Sequence, residues 1–292
     1  MTKVTEKRNF LSNNIDILDT NNILELINSE DSKIHQAIKK EIPTINKIVI
    51  NVINSFENDG RLLYVGAGTS GRIGVLDASE CPPTFKASSD MVQGIIAGGK
   101  KALYKSVEGA EDSFKDGEKS INNKNINSND SIIGISASGD APFVLGALKK
   151  SSQLGAYTVL ITFNNKLKEK YINDLLSIIV GPEIISGSTR MKAGTATKMI
   201  LNMISTTAMI KSNKIYKNYM VDLKVTNNKL RNRAINIISH LTGLDIKKAK
   251  KILISAHNNV KVSLVMIHLS IGYKKALYEL KKNNGNLRKI LD

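Results

Sequence analysis

The sequence LLYVGAGTSG at residues 62–71 places a short apolar run directly before a turn of glycine and hydroxyl residues. A similar arrangement, IIGISASG, occupies residues 132–139. Where such a turn joins a strand to a helix, backbone N–H groups and small hydroxyls converge at the helix start, and the helix dipole also favours an anion there. Two turns of this kind in one chain predict two sides of one phosphate-binding site.

Five short apolar runs predict the strands of a sheet. They occupy residues 61–66, 93–97, 131–136, 156–162 and 177–180, and helix-length segments separate them. Apolar strands that alternate with helices are typical of an α/β fold with a parallel sheet covered on both faces. Ligands of such sheets bind at the carboxyl ends of the strands, where both hydroxyl turns fall.

Helices are predicted on both sides of this α/β section. The first 58 residues have apolar positions at helical spacing, and residues 190–212 predict a long buried helix. From about residue 226 the chain is rich in lysine, and Gly243 and Asp245 predict the end of one helix and the start of the next. We therefore predict an α/β domain with an N-terminal helical extension over residues 1–225, and a small three-helix domain over residues 226–292.

Composition narrows the class of protein. The 292 residues are 41% hydrophobic, which is enough for a substantial core, and they include no apolar run long enough to span a bilayer. With the single cysteine Cys81 there is no internal disulfide, and a cysteine-based zinc site would need several thiolates. We expect a soluble cytoplasmic protein without a metal site, and no cofactor is predicted.

The formal net charge of +16 raises the question of nucleic acid. Residues 211–292 hold 18 Lys or Arg against 4 Asp or Glu. These lysines stand among asparagines and isoleucines with few aromatic residues, and no recognition helix or RNA-binding signature accompanies them. A solvated helical face explains the charge at least as well, so we do not expect a nucleic-acid partner.

Residues 66–71 also satisfy the G-x-G-x-x-G pattern of dinucleotide sites. Such a site needs an acidic residue at the end of the next strand, about 20 residues further on. Here a helix-like segment ended by Pro82 and Pro83 follows, and no second strand ends in Asp or Glu at that distance. The hydroxyls of Thr69 and Ser70 suit a phosphate monoester, which favours a sugar phosphate over a dinucleotide.

Three further features bear on chemistry. Glu80 follows the first turn among small and apolar residues, where partial burial would raise its pKa and make it a proton donor; otherwise it is an ordinary helix-end carboxylate. EGAED at residues 108–112 lies either near the ligand or on a solvated face. GPEIISGSTRMKAGT at residues 181–195 predicts either a third anion-binding turn or a capping segment, in which Ser188 or Thr189 satisfies helix N–H groups.

These segments together resemble the N-acetylmuramic acid 6-phosphate etherases, members of the sugar isomerase (SIS) family that are related to the glucokinase regulatory protein. The matching blocks are TEKRN at residues 5–9, GAGTSGRIGVLDASECPPTF at 66–85, the segments at 108–112 and 181–195, and NVK at 259–261. The resemblance implies a SIS fold. It also implies cleavage of the D-lactyl ether of N-acetylmuramic acid 6-phosphate to N-acetylglucosamine 6-phosphate and D-lactate, in the recycling of cell-wall sugars. A non-catalytic sugar-phosphate sensor is the alternative, and it would not need two glutamates.

The resemblance further implies roles for individual residues. Glu80 would give a proton to the departing lactate and later activate water, and Glu111 would be the base at C2, with Glu108 open as an alternative base. The positions implied to hold the phosphate or the sugar are Gly68, Thr69, Ser70, Ser136, Ser138, Gly139, Ser188 and Thr189, with Lys192 and Lys261 as charge partners. The family also implies a homodimer whose active site lies near the subunit interface.

The chain departs from the family at two turns. Asp140-Ala141-Pro142 follows the second hydroxyl turn, where the family usually has Arg-Thr-Pro, and it places a negative charge near the expected anion site. Phe163-Asn164-Asn165 stands where a Cys-Asn-Pro turn often follows the fourth strand. We expect the fold to tolerate both, and any effect to fall on affinity and on the shape of the sugar pocket.

Overall fold

The computed structural model of this protein describes residues 3–292. One sheet contains the strands β1 Leu62–Gly66, β2 Val92–Ile96, β3 Ser131–Ile135, β4 Tyr157–Thr162 and β5 Asp174–Ser177. All neighbouring strands are parallel, and their order is β2-β1-β3-β4-β5. This confirms the predicted α/β fold with a five-stranded parallel sheet.

The winding of the sheet reverses between β1 and β3. The chain passes from β1 to β2 on one side, then returns to place β3 on the other side of β1. In an open parallel sheet, the crevice outside the carboxyl ends of the strands at such a reversal is the usual ligand site. Gly66 at the end of β1 stands in register with Ile135 at the end of β3, so the two hydroxyl turns leave the sheet side by side.

Helices precede, alternate with and follow the strands. Their bounds are α1 Thr20–Asp31, α2 Ile34–Lys40, α3 Ile42–Glu57, α4 Gly68–Phe85, α5 Phe114–Asn122, α6 Pro142–Gln153, α7 Lys192–Lys211, α8 Asn228–Thr242, α9 Ile246–Ser255, α10 Val260–Leu269, α11 Tyr273–Lys282 and α12 Arg288–Leu291. Helix α7 confirms the long helix predicted over residues 190–212. Strands β1 and β3 are buried along their whole length, as expected of a sheet covered on both faces.

The last strand lies earlier in the chain than predicted. The apolar run at residues 177–180 predicts a strand there, whereas β5 ends at Ser177. Strand β4 ends at Thr162, which is opposite Ser177, so the following residues have no strand beside them. Ile178 donates one further hydrogen bond to the carbonyl of Thr162, and the pairing stops.

The chain divides into two compact units. The first contains the residues up to Ser79 together with Asp90–Thr206, and therefore holds the whole sheet. The second contains Glu80–Ser89 and Thr207–Asp292. The predicted domain boundary between residues 225 and 226 stays a prediction.

The second unit contains helices α8–α12. Their buried faces share an apolar core that includes Ile238, Leu253, Val265 and Ala276. Gly243, with φ 73°, ends α8, and the carboxylate of Asp245 caps α9, both as predicted. The sequence predicts three helices here and the structure has five, because Asn259 caps a new helix and Gly272 precedes another.

Within residues 3–292 no single helix is long and apolar enough to cross a membrane. Helices α9 and α10 meet the criteria of length and composition only when they are taken together, and the pair is bent by 108°.

Candidate active site

One cavity of about 280 Å³ lies where β1 and β3 end. Its walls come from the start of α4, the turn between β3 and α6, the loop before α7 and the N-terminal segment. We call it the first cavity, and it is lined by Thr5, Glu6, Ala67, Gly68, Thr69, Ser70, Glu111, Ile135, Ser136, Ala137, Ser138, Ala141, Gly187 and Thr189. The structure thus brings most of the predicted binding residues of the first unit together with Glu111.

The start of α4 presents free hydrogen-bond donors to this cavity. Helix α4 begins at Gly68, so the first N–H groups of the helix have no carbonyl within it. Among residues 3–292 the hydroxyls of Thr69 and Ser70 have no hydrogen-bond partner. A Cβ on Gly71 would lie 2.7 Å from the carbonyl oxygen of Gly66, so only glycine lets the helix begin this close to the strand. These donors and the helix dipole suit an anion.

The second hydroxyl turn is organised by Ser136. Its buried Oγ accepts hydrogen bonds from the N–H groups of Gly139, at 3.1 Å, and Ala141, at 3.2 Å. Ser138 Oγ accepts from the N–H of Asp140 at 3.2 Å. The two hydroxyl oxygens lie 3.4 Å apart, so one serine donates to the other. Because a serine hydroxyl that accepts still has a proton to donate, the other serine can hold the turn and also donate to a ligand. Gly139, with φ 81°, is part of this turn and does not line the cavity.

The loop before α7 supplies the third wall, and a glutamate caps this helix. The carboxylate of Glu183 accepts the N–H groups of Lys192 at 3.0 Å and Ala193 at 2.9 Å. Burial raises the pKa of Glu183 and outweighs these two hydrogen bonds, which act in the opposite direction. The alternative that Ser188 or Thr189 caps the helix is therefore wrong. Thr189 lines the first cavity, whereas Ser188 does not.

The geometry separates the two candidate bases. Glu111 lies in a short 3-10 helix, Ala110–Asp112, and lines the first cavity. Gly109, with φ 69°, is left-handed and stands between Glu108 and this helix, so the two acids do not share a helical face. Glu108 instead lines an adjoining second cavity of about 340 Å³. The arrangement favours Glu111 as the acid beside a ligand bound at the hydroxyl turns.

The N-terminal segment contributes a carboxylate that sequence reasoning did not assign. Glu6 lines the first cavity next to Thr5. Thr5 N–H donates to Asn164 Oδ1 at 3.2 Å, and Asn164 Nδ2 donates to the carbonyl of Ala137 at 3.0 Å. Asn164 therefore ties this segment to the second hydroxyl turn, within one of the two turns that depart from the family pattern. The TEKRN block was the only available signal for Glu6, and it carried no chemical role.

Asp140 does not leave an uncompensated negative charge at the site. Its carboxylate forms ion pairs with Lys166 at 2.6 Å and Lys3 at 2.7 Å. Burial would raise the pKa of Asp140, but the hydrogen bonds from the two lysines outweigh it and hold that pKa below its usual value. Two lysines thus balance the charge introduced where the family usually has an arginine.

Lys192 is occupied by a buried carboxylate. Its Nζ lies 2.5 Å from Oε2 of Glu30, both side chains are almost fully buried, and Asn9 donates to the same oxygen at 2.9 Å. Lys33 also pairs with Glu30. Burial acts to raise the pKa of Glu30, but the two lysines hold it below the usual value. A role for Lys192 as a phosphate partner stays a prediction.

We predict that Lys192→Met lowers the free energy of unfolding by about 3 kcal/mol, because it leaves the Glu30 carboxylate buried with fewer partners. The loss should stay at the low end of the range for broken buried pairs, since Lys33 and Asn9 remain. Urea unfolding measures it, with the exposed Lys39→Met as the control. Normal stability together with loss of inorganic phosphate binding would contradict this and support the phosphate role instead.

Two predicted site residues belong to the second unit. Glu80 is exposed on α4, so its expected partial burial is wrong: its neighbours Ala78 and Cys81 occupy the buried face of the helix. Lys261 is buried and pairs with Asp222 at 2.7 Å. Burial lowers the pKa of Lys261 and outweighs the opposing effect of Asp222. The roles of both residues stay predictions.

Comparison with known proteins assigns the family. Residues 44–152 match the N-terminal SIS domain of glucokinase regulatory protein, and residues 217–276 match the C-terminal lid domain of that protein. An N-acetylmuramic acid 6-phosphate etherase of Clostridium botulinum (strain Okra / Type B1) is 50% identical over 283 residues, 97% of this chain and 94% of the relative. The protein of that name from Clostridium beijerinckii is 46% identical over 98% of this chain and 95% of the relative. A solved phosphoheptose isomerase from Neisseria gonorrhoeae is 13% identical, with a TM-score of 0.44, over 64% of this chain and 97% of that one. From its two relatives, the chain belongs to the N-acetylmuramic acid 6-phosphate etherase family.

Proposed function

We propose that this protein is a lyase that cleaves the D-lactyl ether of N-acetylmuramic acid 6-phosphate and yields N-acetylglucosamine 6-phosphate and D-lactate. Its etherase relatives, which match nearly the whole chain, support this activity. The single structural observation that carries the proposal is the meeting of the starts of α4 and α6, the loop before α7 and Glu111 around the first cavity. A regulatory protein that only binds the sugar phosphate would have no need of that acid.

The first cavity suits the phosphate by its donors rather than by cations. Its described lining residues include no Lys or Arg. Helix N-termini supply N–H groups and a positive dipole end, and the serine and threonine hydroxyls add further donors. We propose that Thr69, Ser70, Ser136, Ser138 and Thr189 hold the phosphate or the sugar hydroxyls. Gly68 and Gly139 shape the turns, and Ser188, Lys192 and Lys261 stay further candidates.

The reaction begins with removal of a proton. In the open-chain form of the sugar the aldehyde at C1 acidifies the C2 proton, and the carboxylate of Glu111 takes it. The electron pair of that C–H bond forms the C2=C3 double bond, and the C3–O bond to lactate breaks. An ether oxygen is a poor leaving group, so it needs a proton as it departs.

We propose that Glu80 donates this proton. The carboxylate that remains then activates water, which adds at C3 of the unsaturated aldehyde while C2 regains a proton, so that the whole sequence consumes one water. The exposure of Glu80 suits a residue whose surroundings are completed by a second copy of the chain. We accordingly propose a homodimer with the site near its interface.

The proposed setting is the recycling of cell-wall amino sugars in the cytoplasm. The phosphate group alone carries a charge of about −1.5 to −2 near neutral pH, so the sugar phosphate does not cross a bilayer unaided. An enzyme that acts on it therefore works where it was phosphorylated. No nucleic-acid partner is proposed.

Release of D-lactate tests the activity. Purified protein with N-acetylmuramic acid 6-phosphate should release D-lactate and N-acetylglucosamine 6-phosphate in equal amounts, and N-acetylmuramic acid without the phosphate should release far less. Folded protein that binds the sugar phosphate but yields no lactate would support the regulatory alternative instead.

A further inference from the structure

The second cavity is lined by an arginine, Arg72. Arg72 lies in the second turn of α4, one residue after the glycine that packs against β1. Among residues 3–292 its guanidinium has no hydrogen bond and no ion pair, although Glu108 and Glu111 line the same cavity. Arg72 is half-buried, so its charge faces the cavity without being needed to hold the fold.

The two cavities adjoin at Glu111. Ala67, Gly68 and Glu111 line both of them, so the acid proposed to act at C2 stands at their shared wall. The first cavity offers hydroxyls and helix N-termini and no described cation. The second cavity offers a guanidinium. The two cavities thus present different groups, hydroxyls and helix N-termini on one side of the acid and a guanidinium on the other.

The chemistry of the guanidinium indicates which class of ligand the second cavity would bind. Arginine stays charged at every physiological pH, and its planar fork matches a carboxylate through two parallel hydrogen bonds. The proposed substrate carries two anionic groups, the phosphate on C6 and the carboxylate of the lactyl group on C3. Consider a substrate with its phosphate in the first cavity and its C2 proton at Glu111. Because C3 is bonded to C2, the lactyl group on C3 would then point away from the first cavity.

We infer that Arg72 binds the carboxylate of the D-lactyl group in the second cavity and thereby selects sugar phosphates that carry a lactyl ether. The inference rests on the proposed function for the identity of the substrate. It assigns the second cavity to the leaving group, and it gives Arg72 a positioning and specificity role rather than a proton-transfer role.

Relative affinity for two sugar phosphates tests this inference. Calorimetry would compare N-acetylmuramic acid 6-phosphate, in a Glu111→Gln background that prevents turnover, with N-acetylglucosamine 6-phosphate, which lacks the lactyl group. Arg72→Met should reduce the affinity for the first ligand by roughly 10- to 100-fold, the size of a charge-assisted hydrogen-bond pair. Affinity for the second should change less than about twofold. The matched control is Lys101→Met. Lys101 is an exposed cation of the same compact unit as Arg72, and it lines neither cavity.

Several outcomes separate the possibilities. Arg72→Lys keeps the charge without the fork, so an intermediate loss is expected, and this variant also serves if Arg72→Met does not fold. Equal weakening of both ligands, or an unchanged ratio of affinities, would overturn the inference. If the Arg72 variants shift the acid limb of the pH profile of kcat but leave the ratio of the two affinities unchanged, Arg72 acts on the ionisation of Glu111 rather than on the lactyl carboxylate. If wild-type protein releases no lactate but Arg72→Met still changes the ratio, the proposed activity fails and the carboxylate site stands.

Discussion

Glu111→Gln is expected to lower kcat/KM for N-acetylmuramic acid 6-phosphate by about 10²- to 10⁴-fold, the usual contribution of a positioned general base. Glutamine keeps the shape of the side chain but cannot accept the C2 proton. The affinity for N-acetylglucosamine 6-phosphate should change little, because the phosphate is held by the hydroxyl turns. D-lactate release measures the first quantity and calorimetry the second.

Exchange of the C2 proton with solvent separates the base from the acid. In heavy water the wild-type protein should introduce deuterium at C2 of N-acetylglucosamine 6-phosphate, and Glu111→Gln should lose this exchange. Glu108→Gln should cost less than about tenfold, since Glu108 lines the second cavity and not the first. If Glu108→Gln abolishes exchange while Glu111→Gln retains it, the base role passes to Glu108.

The parts of the site that follow from local pattern could be predicted from the sequence. A glycine and hydroxyl turn after an apolar run predicts both the end of a strand and an anion-binding helix start, and β1 with α4 and β3 with α6 have that form. The caps at Gly243 and Asp245 were predictable for the same reason, because each acts on residues within one turn of itself.

The parts of the site that depend on contacts between residues far apart in the chain could not be predicted from the sequence. Glu30 and Lys192 are 162 positions apart, and neither lies in a pattern that indicates the other. Lys192 lies in a segment of glycine and hydroxyl residues and is therefore predicted to bind phosphate, whereas the fold places the buried carboxylate of Glu30 beside it. The same limit hid the cavity that Arg72 lines, because its walls come from three separate segments of the chain.

Asp130→Ala is expected to lower the free energy of unfolding by about 3–5 kcal/mol, the cost of breaking a buried ion pair and leaving its partner unpaired. Asp130 is fully buried directly before β3, and Arg61 stands directly before β1. Its Oδ1 accepts the backbone N–H of Arg61 at 2.9 Å and the guanidinium Nε at 3.0 Å. Its Oδ2 accepts Nη2 at 2.6 Å. The pair therefore joins two central strands at their amino ends, the edge of the sheet opposite the first cavity.

Because the Asp130–Arg61 pair lies far from the first cavity, Asp130→Ala should lower the free energy of unfolding without changing substrate binding. Urea unfolding should show the loss for Asp130→Ala, while KM stays near the wild-type value at temperatures where the variant is folded. Asp130→Asn keeps the shape of the side chain and one oxygen that can accept hydrogen bonds from Arg61, but it loses the charge and the second acceptor, so it should lose less than Asp130→Ala. Lys47→Ala removes a mostly exposed partner of Asp174 in the same unit, and it should cost no more than about 1 kcal/mol. A loss for Asp130→Ala as small as that of Lys47→Ala would mean that Arg61 finds other acceptors, such as the carbonyls of Lys124 and Asn125 that it already contacts, and that the strand ends do not depend on the buried carboxylate.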